Sequence, residues 1–215
     1  MGELEFRTAS SDFAEELVDL ELRCFPTVDR ADLITVAGVR LQEELFPAGG
    51  FMVLDGDRVV GMASGVFVDY DISEPQHDLH EVVGDEGVGN HDPDGDWYYG
   101  IDIAVDPEYR RRGIARRLYD LRKQLVIDHG KRGIIAGGVI PGYRDHKDEM
   151  TAREYVDAVA DGRLTDPTLT AQLANGFEVH GVIADYVLDP TTDNYASFIV
   201  WLNPHHPDNA ARGRG

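Results

Sequence analysis

The chain has one cysteine, Cys24, among its 215 residues. No disulfide can close within it, and a reducing, cytoplasmic setting is expected. No apolar run approaches the ~20 residues a membrane-spanning helix needs. The first ten residues, MGELEFRTAS, have neither a basic n-region nor an apolar h-region. Neither a membrane partner nor a signal peptide is therefore expected. Walker and Rossmann glycine patterns are missing, which leaves nucleotide hydrolysis and hydride transfer without support. Metal-ligand spacings are also missing, and no metal is expected. His77-x-x-His80 and His205-His206 lack partners at confirming distances. Asp92-x-Asp94-x-Asp96 resembles a calcium loop, but its glycine is Gly95, and Ile103 stands where the closing Glu would be.

Lysine is scarce too. Only three of the 20 basic residues are lysine, against 26 Asp and 14 Glu, and the net charge is −20. The acids spread along the whole chain, which favours an acidic surface adapted to high salt over a single cationic partner. The sign of the charge disfavours nucleic acid. Nine of the 20 basic residues nevertheless fall between Arg110 and Arg132. Arginine at a helix N-terminus opposes the helix dipole, so Arg110, Arg111 and Arg112 point to a bound polyanion.

The hydrophobic fraction of 42% supports one sizeable domain, expected over residues 1–204. A strand over Leu4–Thr8 precedes a helix capped by Ser10 or Ser11, with Phe13, Leu17, Leu20 and Cys24 on its apolar side. A second helix is expected from near Asp29, holding Leu33, Val36, Leu41 and Leu45. Phe51–Leu54 and Val59–Val68 form a hairpin through Asp55-Gly56-Asp57. Residues 71–96 carry nine acids and no Lys or Arg. They read as a long acidic loop, solvated or set to select a cationic amine. Strands over Trp97–Val105 and Arg132–Ile140 flank a helix over about Gly113–Asp128. Thr151 and Glu154 form a capping box for another helix, and a further helix is expected over Pro167–Asn175. Strands over Glu178–Leu188 and Ala196–Leu202 follow. Residues 205–215 read as a polar tail, disordered at Arg212–Gly215.

The order strand, turn, arginines, glycine, helix in Ile101–Asp128 describes an anion site. Arg110-Arg111-Arg112-Gly113-Ile114-Ala115 matches Gln/Arg-x-x-Gly-x-Gly/Ala, the signature of the GNAT acetyltransferases. The preceding Ile103-Ala104-Val105-Asp106-Pro107-Glu108-Tyr109 is also similar to that family's approach to the motif. Ala136-Gly137-Gly138, Pro141-Gly142-Tyr143, Glu154-Tyr155-Val156, Asp166-Pro167-x-Leu169 and Asn175-Gly176-Phe177 resemble the subgroup fused to carbon–nitrogen hydrolases. The chain ends soon after Trp201-Leu202-Asn203-Pro204, and no hydrolase domain is expected here.

The resemblance implies an α+β fold with a mixed, mostly antiparallel central sheet flanked by helices, and a splayed strand pair that binds acetyl-CoA. It implies that Ile103, Ala104 and Val105 pair with the pantetheine arm. Arg110, Arg111, Arg112, Gly113, Ile114, Ala115 and Arg116 would hold the phosphates, and Asn175 would join the cofactor site. The activity implied is acetyl transfer to a primary amine, on a small molecule or a peptide, by direct attack in a ternary complex. A non-catalytic acyl-CoA-binding module is the alternative, and a homodimer fits the family habit. Many members carry a general-acid tyrosine where Gln172 stands, which leaves Tyr143, Tyr186 or Tyr195, or an unassisted thiolate. No Glu occupies Tyr98-Tyr99, where some members carry a base. Asp102 remains as the candidate catalytic base, with a structural carboxylate as the competing reading. Tyr99 reads as lining or core, His180 as a surface residue, and Cys24 as packed.

Overall fold

Among the described residues seven strands form one sheet, and its single parallel pair decides where the candidate site lies. The computed structural model describes residues 3–210. The elements in chain order are β1 (Glu5–Thr8), α1 (Ala14–Cys24), α2 (Val36–Leu45), β2 (Phe51–Asp55) and β3 (Arg58–Val68). Then come α3 (Leu79–Val83), β4 (Trp97–Val105), α4 (Ile114–Asp128), β5 (Gly133–Val139) and α5 (Ala152–Ala160). The chain continues with α6 (Leu169–Ala174), β6 (Glu178–Ile183), β7 (Ala196–Leu202) and α7 (Pro207–Ala210). The sheet order is β1-β2-β3-β4-β5-β7-β6. β4 and β5 run parallel, and every other neighbouring pair is antiparallel. This is the mixed, mostly antiparallel sheet that the resemblance implied.

The strands alternate between two covered faces, as a period of two requires. Ile114, Leu118 and Leu125 of α4 pack with Val60, Ala63, Phe67 and Tyr98 on one face. Leu17 and Leu20 of α1 pack with Met52, Met62 and Ala104 on the other. Leu79 and Val83 of α3 join Val66, Trp97 and Tyr99 on that same second face.

Four expected elements differ, and one of them, the strand expected over Glu178–Leu188, ends at Ile183. The helix expected from Asp29 is only a 3-10 turn over Arg30–Asp32, followed by extended backbone at Leu33. The α-helix begins after Thr35, whose side chain accepts from Gly38 N, and this cap sets the start. Leu45 is exposed, while Gly38, Val39 and Gln42 take the buried side. Residues 71–96 hold a helix, α3, opened by an Asp78–Glu81 capping box. Burial of Leu79, Val83 and Val88 ties this segment to the sheet. The tail also contains structure, since Asn209 Nδ2 donates to the carbonyls of Arg132 and Asn203. Arg212–Gly215 lie outside the described residues.

Candidate active site

β4 and β5 pair only at Trp97–Gly133, Tyr98–Ile134 and Tyr99–Ile135. Beyond Tyr99 the strands part. The backbone of Gly100–Val105 then has β3 on one side and no strand on the other. Gly137 and Gly138 lie on the far bank of the gap, and both are glycine for want of room. A Cβ at Gly137 would lie 2.3 Å from the Tyr186 ring, and one at Gly138 would lie 2.7 Å from the Gln172 amide.

The open end of the gap leads to the arginine turn. Asp106 caps a 3-10 turn over Pro107–Tyr109, and its carboxylate accepts from Arg58 at 2.9 Å and Arg23 at 3.4 Å. These cations hold its proton affinity below the ordinary carboxylate value, as does the Glu108 amide, against the effect of burial. Arg111 adopts φ of 62° and Gly113 φ of 80°, both left-handed. Turns of this kind gather successive amides into an anion-binding concavity. Gly113 is the N-cap of α4 and supplies no side chain to cap it, so the amides of the first turn stay free. A Cβ at Gly113 would meet nothing within 4 Å, which leaves the approach open. Arg110, Arg111, Arg112, Arg116 and Arg117 are exposed. Among the described residues none of the five forms an ion pair. Arg112 lies over the Tyr109 ring, and Arg110 Nε donates to Val105 O at 3.2 Å. Ile114 is buried, anchoring the turn to the core, and Ala115 is half-buried beside it. Asn175 closes α6 by donating to Ala171 O, and its carbonyl accepts from Lys123 Nζ at 2.5 Å.

Asp102 occupies a β-bulge. Ser64 pairs with Asp102 and Gly65 with Gly100, so Ile101 is the extra residue. Before the bulge Tyr98 and Gly100 face α4, and after it Ile103 and Val105 do. Asp102 is thereby turned to the opposite face, toward α1 and α3, where bulges commonly re-aim a side chain. It is only 7% exposed. Oδ2 accepts from Ser64 Oγ, while Oδ1 is buried and has no partner. Arg122 of α4, 3% exposed, donates to the carbonyls of Ser64 and Asp102 at the bulge. Burial raises the proton affinity of Asp102, opposed by the Arg122 charge and the Ser64 bond.

A second carboxylate faces Asp102. Glu21 of α1 is 4% exposed and accepts from Ile34 N at 2.6 Å. Burial first, and the Asp102 charge second, push its pKa up to about 8. Both carboxyls line a cavity of about 250 Å³ between α1, α3 and β4. Glu21, Ser64 and Arg122 were missed in the sequence. Glu21 was findable, because it falls on the Leu17–Leu20–Cys24 side of α1, where a carboxylate has to be buried.

The other tyrosine candidates are committed elsewhere. Tyr143 Oη donates to Met150 O at 3.1 Å. The Tyr99 and Tyr186 hydroxyls lie 3.1 Å apart, and the Tyr99 hydroxyl is 2.7 Å from His77 Nε2. Burial raises the proton affinity of all three phenols and lowers that of His77. Tyr99 is therefore core. Tyr195 is half-buried against the Tyr143 ring. Gln172 is buried beside Gly138, with Oε1 unpartnered. His180 is exposed, and Cys24 Sγ packs 3.5 Å from Val105 O. His77 and His80 point to different partners, Tyr99 and Asp32.

A sheet parted at its parallel pair, with an arginine turn and a free helix N-terminus at the open end, is the frame of an acyl-group transferase. The profile of the Acetyltransferase (GNAT) family matches residues 14–144. The chain belongs to that family. It is 36% identical over 193 residues to the probable hydrolase YhcX of Bacillus subtilis, covering 88% of this chain and 36% of that one. The chain thus spans about a third of that relative's length. It is 29% identical over 201 residues to the uncharacterized N-acetyltransferase YkwB of Bacillus subtilis, covering 93% and 89%. Among solved structures, the GphF GNAT-like decarboxylase in complex with isobutyryl-CoA superposes with a TM-score of 0.76 at 20% identity, covering 93% and 99%. The loading GNATL domain of CurA from Lyngbya majuscula gives 0.76 at 18%, covering 95% and 100%. These two likenesses concern the fold.

Proposed function

We propose that the protein transfers an acetyl group from acetyl-CoA to a primary amine by direct attack in a ternary complex. The observation that carries this reading is the parting of β4 from β5 directly ahead of the arginine turn. The residues present fit the donor. The free edge of β4 at Ile103, Ala104 and Val105 suits an extended amide-bearing arm. The free amides from Gly113 to Arg116, with Arg110, Arg111 and Arg112, suit phosphates. When bound, acetyl-CoA supplies the acetyl group already activated as a thioester. Backbone N–H groups of the parted strand can polarise a carbonyl placed beside them. Gln172, in place of a phenol, can donate a hydrogen bond but no proton. Asp102 faces the other side of the strand, where the amine would enter.

Calorimetry of acetyl-CoA binding tests the donor site. Gly113→Asp should abolish binding while the circular dichroism spectrum is unchanged, because a carboxylate then stands in the anion approach. Unchanged affinity would overturn the site. A thiol-release assay across alkylamines, polyamines, amino acids and peptide N-termini tests transfer, and no turnover with any of them would overturn it.

A further inference from the structure

The cavity beside Asp102 contains something the donor site does not explain. Two buried carboxylates line it, and an oxygen of one lacks a partner. Asp102 Oδ1 is inaccessible and unbonded, on a residue more than nine-tenths buried that lines the cavity. A buried acceptor of this kind is costly unless a donor meets it, and a charged acceptor more so. Glu21 accepts one backbone bond, from Ile34, and is otherwise turned to the same space.

The rest of the lining is either apolar or already paired. Ile34, Leu79, Val83, Val88 and Ile101 form apolar walls. Asp32 and Glu86 add carboxylates, but each already has a partner. Asp32 is 2.8 Å from His80 Nε2 and accepts from Leu188 N at 2.7 Å, while Glu86 accepts from Thr35 Oγ1 at 2.6 Å. Unmet demand for a donor is therefore concentrated at Asp102. The volume of about 250 Å³ is far above the ~10–15 Å³ that a single water needs. A short amine fits that space.

We infer that this cavity seats the ammonium group of a small alkylamine between Glu21 and Asp102, and that Glu21 takes the proton which that ammonium must lose before transfer. This rests on the acetyltransferase reading above and names its acceptor class and its base. An ammonium carries three donors, enough to meet Asp102 Oδ1 and a Glu21 oxygen together. The alkyl body would lie along the apolar walls.

The proton balance is as follows. The ammonium gives one proton to the Glu21 carboxylate, and its freed lone pair forms the N–C bond to the acetyl carbonyl carbon. The C–S bond breaks with its electron pair on sulfur, and the second nitrogen proton leaves with the sulfur as the thiol. Glu21 suits this role better than Asp102. It has no cation against it, whereas Arg122 approaches Asp102 from α4 at the bulge. The other titratable groups facing Glu21 are Asp102 from β4 and, on the cavity lining, Asp32, His80 and Glu86.

Near neutral pH, empty Glu21 holds its proton and must give it up to receive a cation. Amine binding therefore releases a proton to solvent. Titration calorimetry of the full chain with n-butylamine, in two buffers of different ionisation enthalpy from pH 6.5 to 9, reads this directly. We expect close to one proton released per amine at pH 6.5 to 7, falling to about half near pH 8, and an affinity that rises about tenfold per pH unit until Glu21 is ionised. Glu21→Gln should abolish both the release and the slope while retaining acetyl-CoA binding. Asp102→Asn should weaken butylamine at least tenfold, and n-butanol should not bind. Butylamine binding no tighter than n-butanol would overturn the inference, as would proton release that persists in Glu21→Gln. Binding of an alanyl peptide without binding of butylamine would overturn the small-amine assignment. Acetyl-CoA affinity of the wild type separates the two readings. If it is intact while butylamine fails, only the amine cavity falls. If it is absent, the donor reading falls whatever the amine does.

Discussion

Glu21→Gln should change how stability depends on pH, independently of any substrate. The ordinary Glu value is 4.5, and burial with the Asp102 charge raises Glu21 to about 8. Below pH 4.5 both the folded and the unfolded chain hold this proton, and Glu21 costs the fold nothing. Between 4.5 and about 8 the unfolded chain has released the proton and the folded chain retains it, so stability falls as pH rises. Above that window both states are ionised and the loss levels off. At ~1.36 kcal/mol per pH unit, the interval is worth about 5 kcal/mol in full and about 3 kcal/mol by pH 7. Glutamine keeps an oxygen for Ile34 N and cannot titrate. The stability difference between wild type and variant should therefore move by about 5 kcal/mol in the variant's favour from pH 4 to pH 9. Urea unfolding at fixed salt, followed by fluorescence of the buried Trp97, measures it. Parallel stability curves, within about 1 kcal/mol of a constant offset, would refute the claim that folding traps this proton.

Arg122→Met should remove the donor from the Ser64 and Asp102 carbonyls and the cation from beside Asp102. A loss of about 3 to 5 kcal/mol is expected, as for a buried partner left alone, and urea unfolding checks it. Gly65→Ala should destabilise the sheet, since the new Cβ would lie 2.3 Å from the Tyr98 ring. That phenol is fixed by its bond to Gly49 O. A cost of about 3 kcal/mol is expected for such overpacking, read as a fall in thermal midpoint, and an unchanged midpoint would contradict the packing.

The donor half of the site could be read along the chain, because its parts are consecutive. Ile103–Val105, the arginine turn, Gly113 and the apolar stripe of α4 are one continuous segment. The left-handed turn needs glycine or strain, the helix needs its period, and the phosphate site needs free amides. Each requirement leaves a local mark in consecutive residues. Elements set by side-chain caps were less legible. The start of α2 moved from Asp29 to Thr35, and α3 went unseen within an acidic segment, because burial of three apolar residues outweighed polar composition.

The acceptor half was not legible, because its parts come from distant places. Asp102 was singled out as a base, but nothing local shows that a one-residue bulge turns it toward α1. Arg122 was counted among the basic residues of the arginine segment, whereas packing against Gly100 draws it to the bulge carbonyls. Glu21 lay in plain view on an apolar helix face without a stated reason. The sequence by itself determined the family signature, the strand–turn–helix and the arginine turn, since these depend on neighbours in the chain. Only the tertiary structure decided that Glu21, Ser64, Asp102 and Arg122 meet. Proton affinity and unmet hydrogen bonds depend on what surrounds a group in space, and that is set when α1 closes over the bulge in β4.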